Sequence, residues 1–432
     1  MAPKLGNTIY GFQSNSMFAY FSLLAFFVLF VMQAYLPGLA LADFENPPTL
    51  QAGSILEPEI HKGKYHAVEN NVKNDGLFNH YIVKSQFGEF RASSTIDLRV
   101  LVQEINVLSE IVKVKTDETL TKSLKQSAEK SVTGVKSLAT DPQGTLASAG
   151  AGIGNLFNTA KETVGKRELT NEEDSRVEQI AGISKSKGVI ANKYGVSVYS
   201  RNVALQKELD RLARADFLGG LGIGAAQGAI PGAGGLVLTA SGATRLLNEV
   251  VNTTSAAELW LQNKNKLLAM GFNPDTVELF LNNPVFSPAH QTTLVAALTE
   301  LEGVANRELF IKVALQASEV GMANVVTRIA MMSAGYQKNI SPLKSFIPLA
   351  RITCAIGKDG SVIVLLPADY IIWTQRIADM VFSLKEKQGS SPESVGFKIW
   401  VLGKFSKRAQ SELDTMGMNI RTGVAKQLSF SN

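Results

Sequence analysis

The pattern of apolar and polar positions changes period several times along this chain. Its first feature is a run without charge, Met17-Phe-Ala-Tyr-Phe-Ser-Leu-Leu-Ala-Phe-Phe-Val-Leu-Phe-Val-Met32. Lys4 precedes it, Pro37-Gly38 breaks it, and Ala40-Leu41-Ala42 follows just before Asp43. A positive start, an apolar middle and a small-residue cleavage pattern read as a secretory signal over residues 1–42. The run approaches the ~20 residues that span a bilayer, so an uncleaved anchor is the alternative.

Residues 43–75 are polar, with Pro47, Pro48 and Pro58, and read as an extended lead-in. Residues 77–93 are rich in aromatic and β-branched types around Gln86-Phe-Gly-Glu89, which predicts a β-hairpin. Ser94 or Thr95 then caps a helix with Asp97 in its first turn. Leu98, Leu101, Ile105, Leu108 and Val112 give that helix one apolar face.

In residues 117–166, Leu120, Leu124, Val132, Val135 and Leu138 form a loose apolar stripe among Lys122, Lys125, Lys130 and Lys136. Such a basic amphipathic stretch lies on an anionic membrane surface or packs as a surface helix on its own domain. Residues 168–200 are polar, with Glu172-Glu-Asp174 in a row, and read as a linker or exposed loop. Leu205, Leu209 and Leu212 then mark a strong helix.

Between Asp216 and Arg245 the chain has no charge and nine glycines. Gly220, Gly224, Gly228 and Gly232 are spaced four apart, which on a helix lines them up as a groove for another backbone. The preferred reading is a central helix buried in the protein, because the stretch is poor in leucine. Insertion into a bilayer is the alternative. A helix precedes Gly220-Leu-Gly-Ile-Gly224 and no G-x-x-x-x-G-K-[ST] occurs, so nucleotide binding is set aside.

From 254 to 337 the punctuation is helical, with Asn273-Pro274 and Ser287-Pro288 as starts and Gly271 and Gly303 as stops. After Pro342 the period becomes strand-like over 349–356 and 361–366, flanking Gly357-Lys-Asp-Gly360. A helix over 369–384, a strand over 397–402, a helix over 406–416 and a last strand over 418–420 follow. The expected fold is α+β and predominantly helical, with an N-terminal β-hairpin, a central helical region and a small C-terminal α/β sheet. The expected divisions are the signal at 1–42, hairpin plus helix at 43–116, an amphipathic and linker region at 117–200, a helical domain at 201–340 and the small α/β domain at 341–432.

Composition adds exclusions. Lys plus Arg is 43 and Asp plus Glu is 38, a net charge of +5 without a basic stripe, so nucleic acid is not an expected partner. The single cysteine, Cys354, rules out an internal disulfide and cysteine-based metal or cluster sites. It reads as a small buried hydrophobe. His61, His66, His80 and His290 lack zinc-protease spacing, and His61/His66 is a weak metal pair. No G-x-S-x-G elbow occurs, and the Ser-x-x-Lys pairs Ser127/Lys130 and Ser341/Lys344 are ones that chance supplies. Asp369 follows Pro367 after a strand, a place for an active carboxylate or a helix cap. No cofactor is expected.

Phe44-Glu-Asn-Pro-Pro48, Ser85-Gln-Phe-Gly-Glu-Phe90, Val198-Tyr-Ser-Arg-Asn-Val-Ala-Leu-Gln-Lys-Glu-Leu-Asp210 and Val401-Leu-Gly-Lys-Phe-Ser-Lys-Arg-Ala409 resemble a group of exported bacterial proteins without an assigned activity. The resemblance implies a shared architecture over most of the mature chain and supplies no catalytic residues.

The expected function is that of an exported envelope protein, in the periplasm or secreted, that acts by binding. Its expected partner is a membrane surface or an envelope protein. The alternatives are an exported hydrolase whose site is assembled from distant residues, and a pore-former inserting 217–244.

Overall fold

The structure is a computed structural model that describes residues 44–114, 171–218, 242–349, 352–389 and 396–430. The signal or anchor at 1–42, the amphipathic stretch at 117–166, and Gly220, Gly224, Gly228 and Gly232 lie outside the described residues.

The polar lead-in is not an extended tail. Thr49–Gln51 (β1), Ala52–Ile55 (α1), Pro58–His61 (α2), His66–Val68 (β2) and Asn71–Asn74 (β3) all belong to the folded body. Asn79–Ser85 (β4) and Gly88–Ala92 (β5) pair across the turn at Gln86 and Phe87, as antiparallel neighbours. They are part of a five-stranded antiparallel sheet, not a free hairpin. β2 and β3 follow each other along one edge of β4, pairing Val68 with Val83 and Lys73 with His80. Alternation fits this arrangement: Asn79, Tyr81 and Val83 turn inward, while His80 and Lys84 face water.

Thr95–Ile111 (α3) starts where Ser94 accepts the backbone N–H of Asp97. Its first half packs Leu98, Leu101, Val102 and Ile105 on the N-terminal sheet. Its second half packs Val107, Leu108 and Ile111 on the helices that follow. Those are Asn171–Tyr194 (α4) and Val203–Phe217 (α5), and Gly242–Thr253 (α6) packs on α4 in turn. The stretch read as a linker at 168–200 is therefore mostly helix. Its polarity hid the element because α4 meets its neighbours partly through small residues. A side chain at Gly188 would collide with the Asn252 carbonyl of α6, and one at Gly182 with the Phe217 ring of α5.

Ala256–Ala269 (α7), Pro274–Leu281 (α8), Pro288–Glu300 (α9), Leu309–Ala314 (α10) and Val320–Asn339 (α11) complete the helical part. Ser255, Asn273 and Ser287 cap α7, α8 and α9. The C-terminal part carries Leu343–Leu349 (β6), Ile352–Gly357 (β7), Val362–Leu366 (β8), Tyr370–Ile371 (β9), Gln375–Gly389 (α12), Phe397–Val401 (β10), Lys404–Phe405 (β11), Lys407–Thr415 (α13) and Asn419–Arg421 (β12). Its main sheet has the order β12-β10-β8-β7-β6; β9 and β11 form a separate parallel pair. β6, β7 and β8 are antiparallel neighbours, whereas β8, β10 and β12 run parallel. The helix predicted from Asp369 begins only at Gln375, because Asp369–Ile371 is held by other strands.

The expected predominantly helical fold class is thus corrected. A five-stranded sheet is built from residues near each end of the chain, and sheet and helix share the architecture. One apolar core also runs across the predicted boundary at 340/341. Phe280, Leu294, Ile311 and Ile329 of the helices pack with Phe346, Ile363, Leu365 and Trp400 of the C-terminal sheet. The apolar run of β8 is covered on both faces, and that is why it shows no alternation. Among the described residues no helix is long and apolar enough to cross a membrane.

Candidate functional site

In open α/β sheets ligands bind beyond the carboxyl ends of parallel strands. Here that position follows β8 and β10, and Asp369 stands in it. The N-terminal sheet occupies the same place. Leu77 O accepts the N–H groups of Asp369 and Tyr370 at 3.0 and 3.1 Å, and Gly76 O accepts that of Ile372 at 3.0 Å. The Asn74 amide donates to Tyr370 O at 3.2 Å. On the other side Gly403 donates to Ala368 O at 2.9 Å and lies so close that any side chain there would meet the Asp369 carbonyl.

The Asp369 carboxylate turns toward the start of α3. It accepts Asn79 N–H at 2.9 Å through Oδ2, and Thr95 N–H at 3.1 Å through Oδ1 and 3.0 Å through Oδ2. Burial holds the group up at about 6, while the Asn79 and Thr95 donors pull in the opposite direction. Asp369 therefore caps a helix, but α3 in place of the helix that follows it. Beside it, Tyr81 O–H shares a hydrogen bond with Thr95 Oγ1 at 2.7 Å, and Asn79 reaches Tyr81 at 3.1 Å.

Two residues further along α3 a second chain of contacts begins. Arg328 of α11 donates to Asp97 Oδ1 at 2.6 Å. Asn324 Nδ2 donates to the same oxygen at 3.3 Å, which orients its Oδ1 toward His290 Nε2 at 2.8 Å. That oxygen can only accept, so Nε2 carries the imidazole proton and Nδ1 accepts. Ser287 Oγ lies 3.0 Å from Nδ1. Burial depresses the proton affinity of His290. The order serine, neutral imidazole, amide oxygen is one that nucleophilic catalysis uses. The same atoms also make a capping box at the start of α9, with Ser287 Oγ accepting His290 N–H at 3.3 Å.

The remaining sequence candidates are dispersed. His61 ends α2, while the buried His66 places Nε2 3.0 Å from Ile60 O. His80 pairs with Asp75 at 3.0 Å. Cys354 is buried in β7. Ser341 and Lys344 are exposed before and within β6, and Ser127 and Lys130 lie outside the described residues. Among the described residues no three His, Cys, Asp or Glu side chains are placed to share a metal ion. Sequence reasoning missed Asn324, Arg328 and Asp97 as one network, because α3 and α11 are more than two hundred residues apart in the chain. The Ser287-Pro288 cap and the His290 that completes it were the only local signals.

No protein family, characterised protein or solved structure matches this chain.

Proposed function

We propose that this is an exported envelope protein that acts by binding, through an apolar surface around the charge-free stretch 217–244. The observation that carries this reading is the pair of flanks of that stretch. Phe217 and Leu218 at the end of α5 are 40% and 55% exposed, and Val250 of α6 is 41% exposed. Both helices pack on α4, so both flanks are anchored on one rigid element. Large exposed apolar side chains on both flanks of an uncharged segment suit a membrane face or an apolar partner surface. The apolar start and small-residue pattern at 17–42 support delivery to the envelope.

Fractionation of tagged full-length protein tests this, together with Leu218→Asp/Val250→Asp. The wild type is expected with the envelope fraction, and the variant is expected to be released while keeping its melting temperature. Flotation with phosphatidylglycerol vesicles separates a lipid surface from a protein partner. Wild type confined to the cytosol, or a variant that fractionates unchanged, overturns the reading.

A second reading, an exported hydrolase, rests on Ser287, His290 and Asn324. In it Ser287 Oγ would be the nucleophile, His290 Nδ1 its base, and Asn324 the group that fixes the tautomer. A fluorophosphonate probe that labels wild type but not Ser287→Ala supports it. Absence of labelling leaves these residues as the cap of α9 alone.

A further inference from the structure

Between its two apolar stretches, α3 has a polar seam at Gln103 and Glu104. Opposite the seam runs the segment from Gly195 to Asn202, which has no regular structure and relies on side chains to satisfy its backbone. Gln103 donates to Gly195 O at 2.7 Å. Asn252 of α6 donates to Val196 O at 2.9 Å and accepts Val198 N–H at 2.8 Å. Gln206 of α5 donates to Val198 O at 3.1 Å and Ser200 O at 2.8 Å.

Glu104 faces the end of this segment. It is 7% exposed, and among the described residues no other Asp or Glu is buried so deeply. Ser200 and Asn202 are the polar side chains beside its carboxyl. Ser200 Oγ already accepts Asn202 N–H at 3.1 Å, which leaves its own proton free for Glu104. Asn202 Oδ1 caps α5 by accepting Leu205 N–H at 3.2 Å, and its buried amide nitrogen has no hydrogen-bond partner. Both groups are neutral. The charged side chains of the packed elements turn elsewhere. Arg201 is exposed and acts on His290, Arg211 binds Glu208 and the carbonyls of Ile111 and Val114, and Lys187 pairs with Asp210. Tyr194 and Tyr199 are held above their ordinary value by burial.

We propose that Glu104 is a proton-operated latch: with its carboxyl protonated, the 195–202 segment and the start of α5 stay seated on α3, and ionisation releases them. Neighbouring donors favour the carboxylate, but burial outweighs them and favours the neutral carboxyl. A carboxylate there is a buried charge without a cation, and opening the segment to water relieves it. Burial places the change at about 7, within the range that an exported protein meets outside the cell. The latch is independent of what the protein binds.

Hydrogen exchange of the full chain, followed by mass spectrometry at pH 5.5 and 8.5 and corrected for intrinsic rates, tests it. In the wild type, exchange over 195–210 should rise roughly tenfold to thirtyfold at the higher pH, the upper figure being the part of the shift in proton affinity that lies above pH 5.5, expressed as an equilibrium. Glu104→Gln, which is neutral and isosteric, should remove that step, while the exposed control Glu302→Gln should keep it. The infrared band of a protonated carboxyl at pH 6 should be stronger in the wild type than in Glu104→Gln. An equal exchange step in Glu104→Gln, no step in the wild type, or identical carboxyl bands would each overturn the proposal.

Discussion

Both carboxylate oxygens of Asp369 lie within 3.1 Å of the backbone nitrogen of Thr95, across 274 residues of chain. Through this contact the C-terminal sheet supplies the anion that the first turn of α3 favours. It also fills the end of the sheet where a ligand would be sought. Asp369→Ala would leave the Asn79 and Thr95 N–H groups without their acceptor, and a loss of roughly 2–4 kcal/mol is expected. Urea unfolding at pH 5 measures it, and a change below about 0.5 kcal/mol would show that the contact contributes little.

The same residue gives a pH dependence of known sign. Its folded value, about 6, lies above its ordinary value. The corresponding stability is therefore fully present below the unfolded value and is lost as pH rises through about 6. Asp369→Asn cannot ionise. Its stability relative to wild type should rise between pH 4 and pH 7, by up to ~3 kcal/mol, and then level off. Paired urea titrations across that range decide it, and a flat difference would contradict the assignment.

Arg328 and Asp97 join α11 to α3 at 2.6 Å, with side chains 12% and 27% exposed. Removing one partner of so enclosed a pair leaves the other charge poorly solvated. Arg328→Ala should cost roughly 3 kcal/mol, and Asp97→Asn less, since Asn can still accept. In a double-mutant cycle the pair should be non-additive by ~1–3 kcal/mol. Additive losses would mean that the ion pair is not formed in solution.

Gly188 lets α4 and α6 approach until the Asn252 carbonyl occupies the place of a Cβ. Gly188→Ala should raise intrinsic helix propensity yet lower stability, by roughly 1–3 kcal/mol, because a backbone must move. Asn252 is also the clamp of the 195–202 segment, so exchange there should quicken at every pH. A variant as stable as wild type would place α6 elsewhere.

How far these elements were legible in the chain follows from the range of the forces that make them. Ser94, Asn273 and Ser287 declared their helix starts because a cap acts within a few residues. The β4–β5 pair was legible for the same reason, its turn and alternation being local. The helix at 171–194 was not, because its packing depends on Gly182 and Gly188 meeting partners from α5 and α6, and small residues carry no apolar period. The strands at 49–51, 66–68 and 71–74 were hidden by polarity, since the register of the last two is set by β4 and that of the first by β3. Asp369 was noticed as an acid after a strand, but its partner Thr95 could not be.

The sequence by itself determined the local signals: helix caps, the turn between β4 and β5, the apolar run of β8, and the lone cysteine that leaves no internal disulfide. Only the tertiary structure decided that the N-terminal sheet closes the end of the C-terminal one, that α3 serves two cores, and that Glu104 is shut in a dry seam. Caps and turns are fixed by neighbours along the chain. Burial and the pairing of distant polar groups depend on which elements meet in space, and that balance is struck over the whole fold.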